Sequence, residues 1–125
     1  MERINSNKAP GALGPYSQGV VFGGTVYVSG QLGINPISGE LCSDEIAAQT
    51  EQALKNIEAI LKAAGSDMSR LLKLTIFLSD INQFATVNDV MDRLLNEPFP
   101  ARACIEASAL PKKAAIEIDA IAGLS

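Results

Sequence analysis

The stretch "RLLKLTIFLSD" (Arg70–Asp80) is the segment that decides the fold of this chain. Read as a strand, it places apolar side chains on both of its faces: Leu72, Leu74, Ile76 and Leu78 on one, Leu71 and Phe77 on the other. A strand that is apolar on both faces is typical of a sheet covered on both sides. The segment therefore predicts a buried strand in the interior of a sheet.

Two amphipathic helices are predicted, one before and one after this strand in the sequence. From Ser43 to Gly65 apolar residues recur at three- and four-residue spacing, and Gly65 ends the pattern. Downstream, "QFATVNDVMDRLLNE" (83–97) carries a second apolar stripe that ends before two prolines. Asn88 lies on this stripe and is expected to be a buried amide bonded to backbone, with proximity to a functional site as the alternative.

Two hairpins are predicted from the remaining segments. "GVVFGGTVYVSG" (19–30) has β-rich runs around a Gly-Gly pair, which predicts a hairpin over residues 19–29. In "FPARACIEASALPKKAAIEIDAI" (99–121) a turn between Pro111 and Lys112 would pair a strand containing Arg102 with one containing Glu117. In that register the arginine and the glutamate lie on one face of the sheet.

At least five strands and two helices in 125 residues predict a single α+β domain spanning residues 1–125. Two helices can cover only one face of such a sheet, so the opposite face has no cover within the chain. We therefore expect a closed homo-oligomer whose sheets meet at its centre. The alternative is a monomer with an ordinary exposed Leu and Phe.

Composition excludes several classes of function. The net charge of -4 and the absence of a basic run interleaved with aromatics argue against nucleic-acid binding. Charged or polar residues interrupt every apolar run, so we expect no membrane association, no targeting segment and a cytoplasmic protein. The chain has no histidine, which removes the imidazole base and ligand. Cys42 and Cys104 are too few and too distant for a disulfide framework or zinc site.

Arg102 and Glu117 are the residues best suited to chemistry. A guanidinium grips a carboxylate through two parallel hydrogen bonds, a geometry that lysine does not offer. A carboxylate on a rigid strand could orient or deprotonate a water for attack on an activated C=N or C=O bond, which contributes roughly 10²–10⁴ in rate. The alternative is a solvated sheet face decorated with charge.

Several ordered motifs give the chain a family resemblance over nearly its whole length. They are "GPYSQG" (14–19), "VSGQLG" (28–33), "AILKAAG" (59–65), "FLSDINQFATVND" (77–89), "PARACIEASALP" (100–111) and "IEIDAIA" (116–122). Together they resemble the RidA/YjgF family of reactive-intermediate deaminases. The resemblance implies a chorismate-mutase-like α+β fold, with a mixed β-sheet and two helices packed on one face. It also implies a homotrimer whose clefts lie between neighbouring subunits.

The resemblance further implies hydrolysis of enamine and imine intermediates such as 2-aminoacrylate and 2-iminobutanoate to 2-oxo acids and ammonia. These intermediates are released by pyridoxal-phosphate-dependent serine/threonine dehydratases, so a functional link to those enzymes is implied. No metal or organic cofactor is implied for this chain. By position, Arg102 matches the residue that binds the substrate carboxylate and Glu117 the residue that holds the attacking water.

Four other positions match binding residues of the family. Tyr16 matches an aromatic wall of the cleft, Ser29 and Gly30 its backbone rim, and Cys104 a main-chain contact to ligand. Each has an ordinary structural alternative: an outward-packed tyrosine, a β-bulge at Ser29–Gly30, and a small buried thiol.

The chain departs from the family pattern at Met91 and Leu95, where aromatics are usual. A softer wall would admit a bulkier or different substrate side chain. The alternative to an enzyme is a non-catalytic trimer that binds a small carboxylate, a 2-oxo acid or amino acid, as a regulatory ligand.

Overall fold

A six-stranded mixed sheet and two helices make up the computed structural model, which describes all residues from 1 to 125. The elements in chain order are β1 (Glu2–Ile4), β2 (Gly19–Phe22), β3 (Thr25–Leu32), α1 (Ile46–Ala63), β4 (Leu71–Leu78), α2 (Phe84–Leu94), β5 (Ala101–Glu106) and β6 (Ile116–Gly123). The strand order across the sheet is β1-β2-β3-β6-β4-β5, and only the β4–β5 pair is parallel. The predicted fold class, mixed sheet plus two helices, is confirmed.

The first hairpin and the interior position of β4 are as predicted. Gly23 and Gly24 both have positive φ, 60° and 77°, which is the left-handed region that a tight turn between β2 and β3 requires. Strand β4 pairs with β5 on one side and with β6 on the other. Its two paired edges and its apolar side chains fit the interior of the sheet.

The predicted pairing of the last two strands is wrong. β5 and β6 do not pair, because β4 lies between them. In the observed register Glu106 lies beside Leu78, and Glu117 lies beside Phe77. The physical reason is that the segment 107–115 is long enough to cross from β5 past β4 to β6, so that β4 pairs with both strands, one along each of its edges.

A β-bulge also reverses the predicted faces at the start of β4. The register shifts between Leu71, which pairs with Ala122, and Lys73, which pairs with Ile121. As a result Leu71 is buried in the core, whereas Leu72 is 54% exposed. The extra residue shifts the alternation of the strand by one position, which a strict period of two does not predict.

Both helices lie on one face of the sheet. α1 packs on β3 and β6, and α2 packs beside α1. The core between helices and sheet contains Val26, Val28, Ala53, Ile57, Leu61, Leu74, Ile76, Leu78, Val87, Met91, Ile116 and Ile118, among others. Neither helix has the length and the apolar content needed to cross a bilayer.

Buried amides on α1 fix the ends of the strands that carry the candidate site. The Asn56 amide donates to the carbonyl oxygens of Leu32 and Ile34 at 3.1 and 2.9 Å. The Gln49 Oε1 atom accepts a hydrogen bond from the backbone N–H of Ala115 at 2.8 Å. These contacts hold the end of β3 and the start of β6 against the helix.

The opposite side of the sheet, here called the open face, has no covering element in the chain. Its side chains come from five strands: Val20, Phe22, Tyr27, Thr75, Phe77, Ala103, Ile105, Glu117, Asp119 and Ile121. Tyr27 is 45% exposed and Ile105 is 52% exposed. The predicted uncovered sheet face is therefore present.

Candidate functional site

Arg102 extends from edge strand β5 toward helix α2. It lies beside Leu74 in the parallel register, which puts it on the helix-covered side of the sheet. Its Nη1 donates a hydrogen bond to the Oδ1 atom of Asn88 at 2.6 Å. The Cζ atom lies 5.1 Å from the ring centroid of Phe84, within the range of a cation–π contact. Helix α2 thus holds the guanidinium at the edge of the sheet.

A cavity of about 490 Å³ lies beside this guanidinium. Its lining residues are Leu74, Asn88, Asp89, Met91, Asp92, Leu95, Phe99, Pro100 and Arg102. Its volume falls within the range of small-molecule sites, about 300–1,000 Å³. Met91 and Leu95, where the resemblance led us to expect a departure from the family pattern, both line it.

Glu117 lies on the open face, in the interior of the sheet. Strand β6 places it beside Phe77 on one side and Leu32 on the other. Partial burial, followed by the charge of Asp119, raises the pKa of the Glu117 carboxyl above its ordinary value. A carboxyl whose pKa is raised toward neutrality is a stronger proton acceptor when ionised, as general-base catalysis requires.

Gly30 makes a close approach to this carboxyl. A Cβ atom at position 30 would lie 2.8 Å from Oε2 of Glu117 and 2.9 Å from its Cδ. Only the absence of a side chain at this position leaves space for the observed carboxyl position. The structure therefore brings Gly30 and Glu117 together, as two of the predicted site residues.

Ser29 and Gly30 occupy a β-bulge, the structural alternative named for them from the sequence. The β3–β6 register shifts between Val28 and Gln31. The Ser29 N–H donates to the carbonyl of Gln18 at 2.9 Å, and the Ser29 hydroxyl donates to the carbonyl of Ser17 at 2.6 Å. These two hydrogen bonds hold the bulge of β3 against the loop that contains the half-exposed Tyr16.

Cys104 lies on β5 beside Ile76 and is partly buried. Burial raises the pKa of its thiol, and the nearby Arg102 charge only partly offsets that effect. A thiol with a raised pKa is protonated at neutral pH and is a poor nucleophile. The environment fits a small packed side chain.

The chain contains no group of three or more His, Cys, Asp or Glu side chains that could hold a metal ion.

Arg102 and Glu117 do not lie on one face of the sheet, so that prediction is wrong. Arg102 is in register with Leu74 on the covered side, whereas Glu117 is in register with Phe77 on the open face. The cause is the intervening strand β4, which the predicted hairpin omitted. One chain therefore presents two separate groups: Arg102 with Cys104, and Glu117 with Ser29 and Gly30.

Asn88 is not the buried, backbone-bonded amide that was expected first, and its position beside Arg102 and the cavity fits the alternative of proximity to a functional site. Its side chain binds Arg102 rather than the backbone. Phe84, the first residue of α2, is partly exposed and lies against the same guanidinium. The one available signal was a polar residue in the middle of an apolar stripe.

Comparison with known proteins identifies relatives of the same fold over nearly the whole chain. The profile of the endoribonuclease L-PSP family matches residues 6–124. A human protein named 2-iminobutanoate/2-iminopropanoate deaminase is 50% identical over 119 residues, which cover 95% of this chain and 87% of that protein. The crystal structure of RidA from an Antarctic Psychrobacter has a TM-score of 0.95 at 44% identity, covering 98% of this chain and 99% of that one.

A further solved structure contains a small ligand. Escherichia coli TdcF with bound serine is 39% identical, has a TM-score of 0.95, and both chains are covered completely. That relative binds an amino acid, a small molecule with a carboxylate.

Proposed function

The chain belongs to the endoribonuclease L-PSP family, also called the YjgF/RidA family, and on that premise we propose that it hydrolyses 2-imino acids and their enamine tautomers to 2-oxo acids and ammonia. Substrates of this class are 2-aminoacrylate and 2-iminobutanoate, which serine/threonine dehydratases release. The name of the human relative supports this reaction. The observation that carries the proposal is the guanidinium of Arg102, held beside a cavity of small-molecule size.

The reaction requires three events that these residues can supply. Arg102 binds the substrate carboxylate through two parallel hydrogen bonds and so orients the C=N carbon. Glu117 holds a water, accepts its proton, and directs the oxygen to that carbon. Attack on the protonated imine gives a neutral carbinolamine, and Glu117 returns the water proton to its nitrogen. The hydroxyl proton then passes to Glu117 as the C–N bond breaks, so that ammonia leaves and the C=O bond of the 2-oxo acid forms. Ser29 and Gly30 form the backbone rim of the site beside the Glu117 carboxylate. Tyr16 forms an adjoining wall, and the main chain of Cys104 contacts the substrate.

The positions of these groups support an active site shared between subunits of a homotrimer. Arg102 and Glu117 lie on opposite sides of the sheet in one chain, so Arg102 of one subunit and Glu117 of a neighbour would complete the site. The open face supplies apolar side chains such as Tyr27 and Ile105 for the contact. Cleavage of RNA, which the family name mentions, fits poorly with a net charge of -4 and no histidine.

The test generates 2-iminobutanoate from threonine with a threonine dehydratase, in the presence of semicarbazide. Wild type should divert the imine to free 2-oxobutanoate and reduce semicarbazone formation. Arg102→Ala should lower kcat/KM by about a hundredfold, because two charge-assisted hydrogen bonds are lost. Arg70→Ala is the matched control, since Arg70 pairs only with Asp67 in an exposed ion pair.

A second candidate is binding without turnover, which the serine-bound relative favours. If wild type leaves semicarbazone formation unchanged over a range of 2-imino acids, the deaminase proposal fails. Binding of 2-oxobutanoate that depends on Arg102 would then support a regulatory carboxylate site.

A further inference from the structure

One face of helix α2 restrains the guanidinium of Arg102. Phe84, Asn88 and Met91 occupy positions i, i+4 and i+7, so their side chains share that face. Asn88 Oδ1 accepts from Nη1 at 2.6 Å, and the Met91 sulfur lies 3.9 Å from the same nitrogen. The Phe84 ring adds a stacking contact with its centroid 5.1 Å from Cζ. Together these contacts fix both the location and the rotation of the guanidinium plane.

The remaining nitrogens of Arg102 have no protein partner. Both of its hydrogen bonds come from Nη1, and it takes part in no salt bridge. Nε–H and one Nη2–H point in the same direction along one edge of the guanidinium, which is one of the two edges able to grip a carboxylate. Nη1 is already in contact with Asn88 Oδ1 and the Met91 sulfur, so the edge formed by Nε and Nη2 is the one available to a carboxylate.

We propose that Asn88 is a positioning residue that selects the Nε/Nη2 edge of Arg102 for the substrate carboxylate. The inference rests on the proposed function, in which Arg102 binds that carboxylate. An amide suits the task because its oxygen accepts a hydrogen bond without neutralising the guanidinium. An aspartate at this position would form an ion pair and compete with the substrate for the same charge.

Binding of the product analogue tests the role of Asn88 without turnover. Calorimetry should give a Kd for 2-oxobutanoate about tenfold weaker in Asn88→Leu, which has a similar shape but no acceptor. Asn82→Leu is the matched control, since Asn82 is exposed and its side chain makes no hydrogen bond, and its Kd should match wild type. In turnover, KM should rise while kcat changes by less than about twofold, because the carboxylate is bound equally in ground and transition states.

A double-mutant comparison separates positioning from general stability. Lysine has no Nη1, so in an Arg102→Lys background Asn88→Leu should cause no further loss of binding. Equal losses in both backgrounds would overturn the proposal, because Asn88 would then act through something other than Arg102. If Asn88→Leu fails to fold, Asn88→Ala replaces it, since alanine is the most favourable helix residue.

Nitrogen-15 spectra test the edge that binds. On addition of 2-oxobutanoate, one arginine Nε–H signal should move downfield in wild type and be absent from Arg102→Lys. Binding without that shift, or no binding at all, would overturn the proposal. A protein that shows the shift but hydrolyses no imine would refute the deaminase proposal and leave the role of Asn88 supported.

Discussion

The two faces of the sheet differ most clearly along strand β6. Ile116, Ile118, Ala120 and Ala122 point to the helices and are fully or almost fully buried. Glu117, Asp119 and Ile121 alternate with them on the open face and are only partly buried. These covered residues of β6 are all apolar because they form part of the core beneath the helices. The open face mixes apolar area with carboxylates, as the proposed assembly and active site would require.

The largest difference between the faces is expected for activity at Glu117. Glu117→Gln keeps the shape of the side chain but cannot accept the proton of water, so kcat/KM for imine hydrolysis should fall by about 10²–10⁴. In wild type the rate should rise with pH through the raised pKa of Glu117, because the ionised carboxylate is the proton acceptor. The variant should lack this acid limb. Rates from stopped assays between pH 4 and 8 measure the loss of activity and the acid limb. If Glu117→Gln has the same pH profile as wild type, another group accepts the proton.

The next largest difference between the faces is expected for stability and association at two isoleucines of β6. Ile118→Ala removes a fully buried side chain from the covered face and should lower the free energy of unfolding by about 2–5 kcal/mol. Ile121→Ala alters the open face, so its main effect should be on association, with an unfolding midpoint that depends more strongly on protein concentration. Urea denaturation at several protein concentrations, with sedimentation, measures both. Equal and concentration-independent losses would show that both isoleucines serve only the fold of one chain.

The smallest effect is expected in the cavity on the covered side. Met91→Phe adds volume to the wall beside Arg102 and should shift preference toward 2-imino acids with shorter side chains, by about fourfold per methylene. Leu94→Phe is the control, because Leu94 is on the same helix but outside this cavity. Relative kcat/KM values for imines generated by an amino-acid oxidase report the shift. A Met91→Phe enzyme with unaltered preference would place the substrate side chain elsewhere.

Local periodicity predicted most elements of the fold but not all of their neighbours. The spacing of apolar residues identified α1 and α2, and the Gly-Gly pair identified the first hairpin. Alternation along a strand shows which residues share a face but not which strand lies beside it. For that reason the placement of β4 between β5 and β6 was missed. The bulge after Leu71 was missed because an inserted residue shifts the alternation without a distinctive sequence.

The sequence suggested candidate residues for the site by their chemistry but did not predict their geometry. Arg102 and Glu117 were selected because their functional groups suit carboxylate binding and water activation. Their separation onto two faces depends on strand order, which involves residues far apart in sequence. The contact between Asn88 and Arg102 likewise depends on where α2 lies relative to β5. Such relations arise from tertiary packing, so a local pattern carries little information about them.

Gly30 of β3 and Gly33, which follows that strand, differ in which atoms an added methyl group would contact. At Gly33 a Cβ would lie 2.5 Å from the Cα of Gln49, against helix backbone that has no room to move. At Gly30 the nearest atoms all belong to the Glu117 side chain, with Oε2 at 2.8 Å, Cδ at 2.9 Å and Cγ at 3.2 Å, and a side chain can move where a helix backbone cannot. Gly30→Ala should therefore leave the fold and every charged residue in place while it displaces the carboxyl group of Glu117 from its observed position. We expect such a variant to have wild-type abundance and reduced activity, so that a measurement of protein level alone would not reveal the defect.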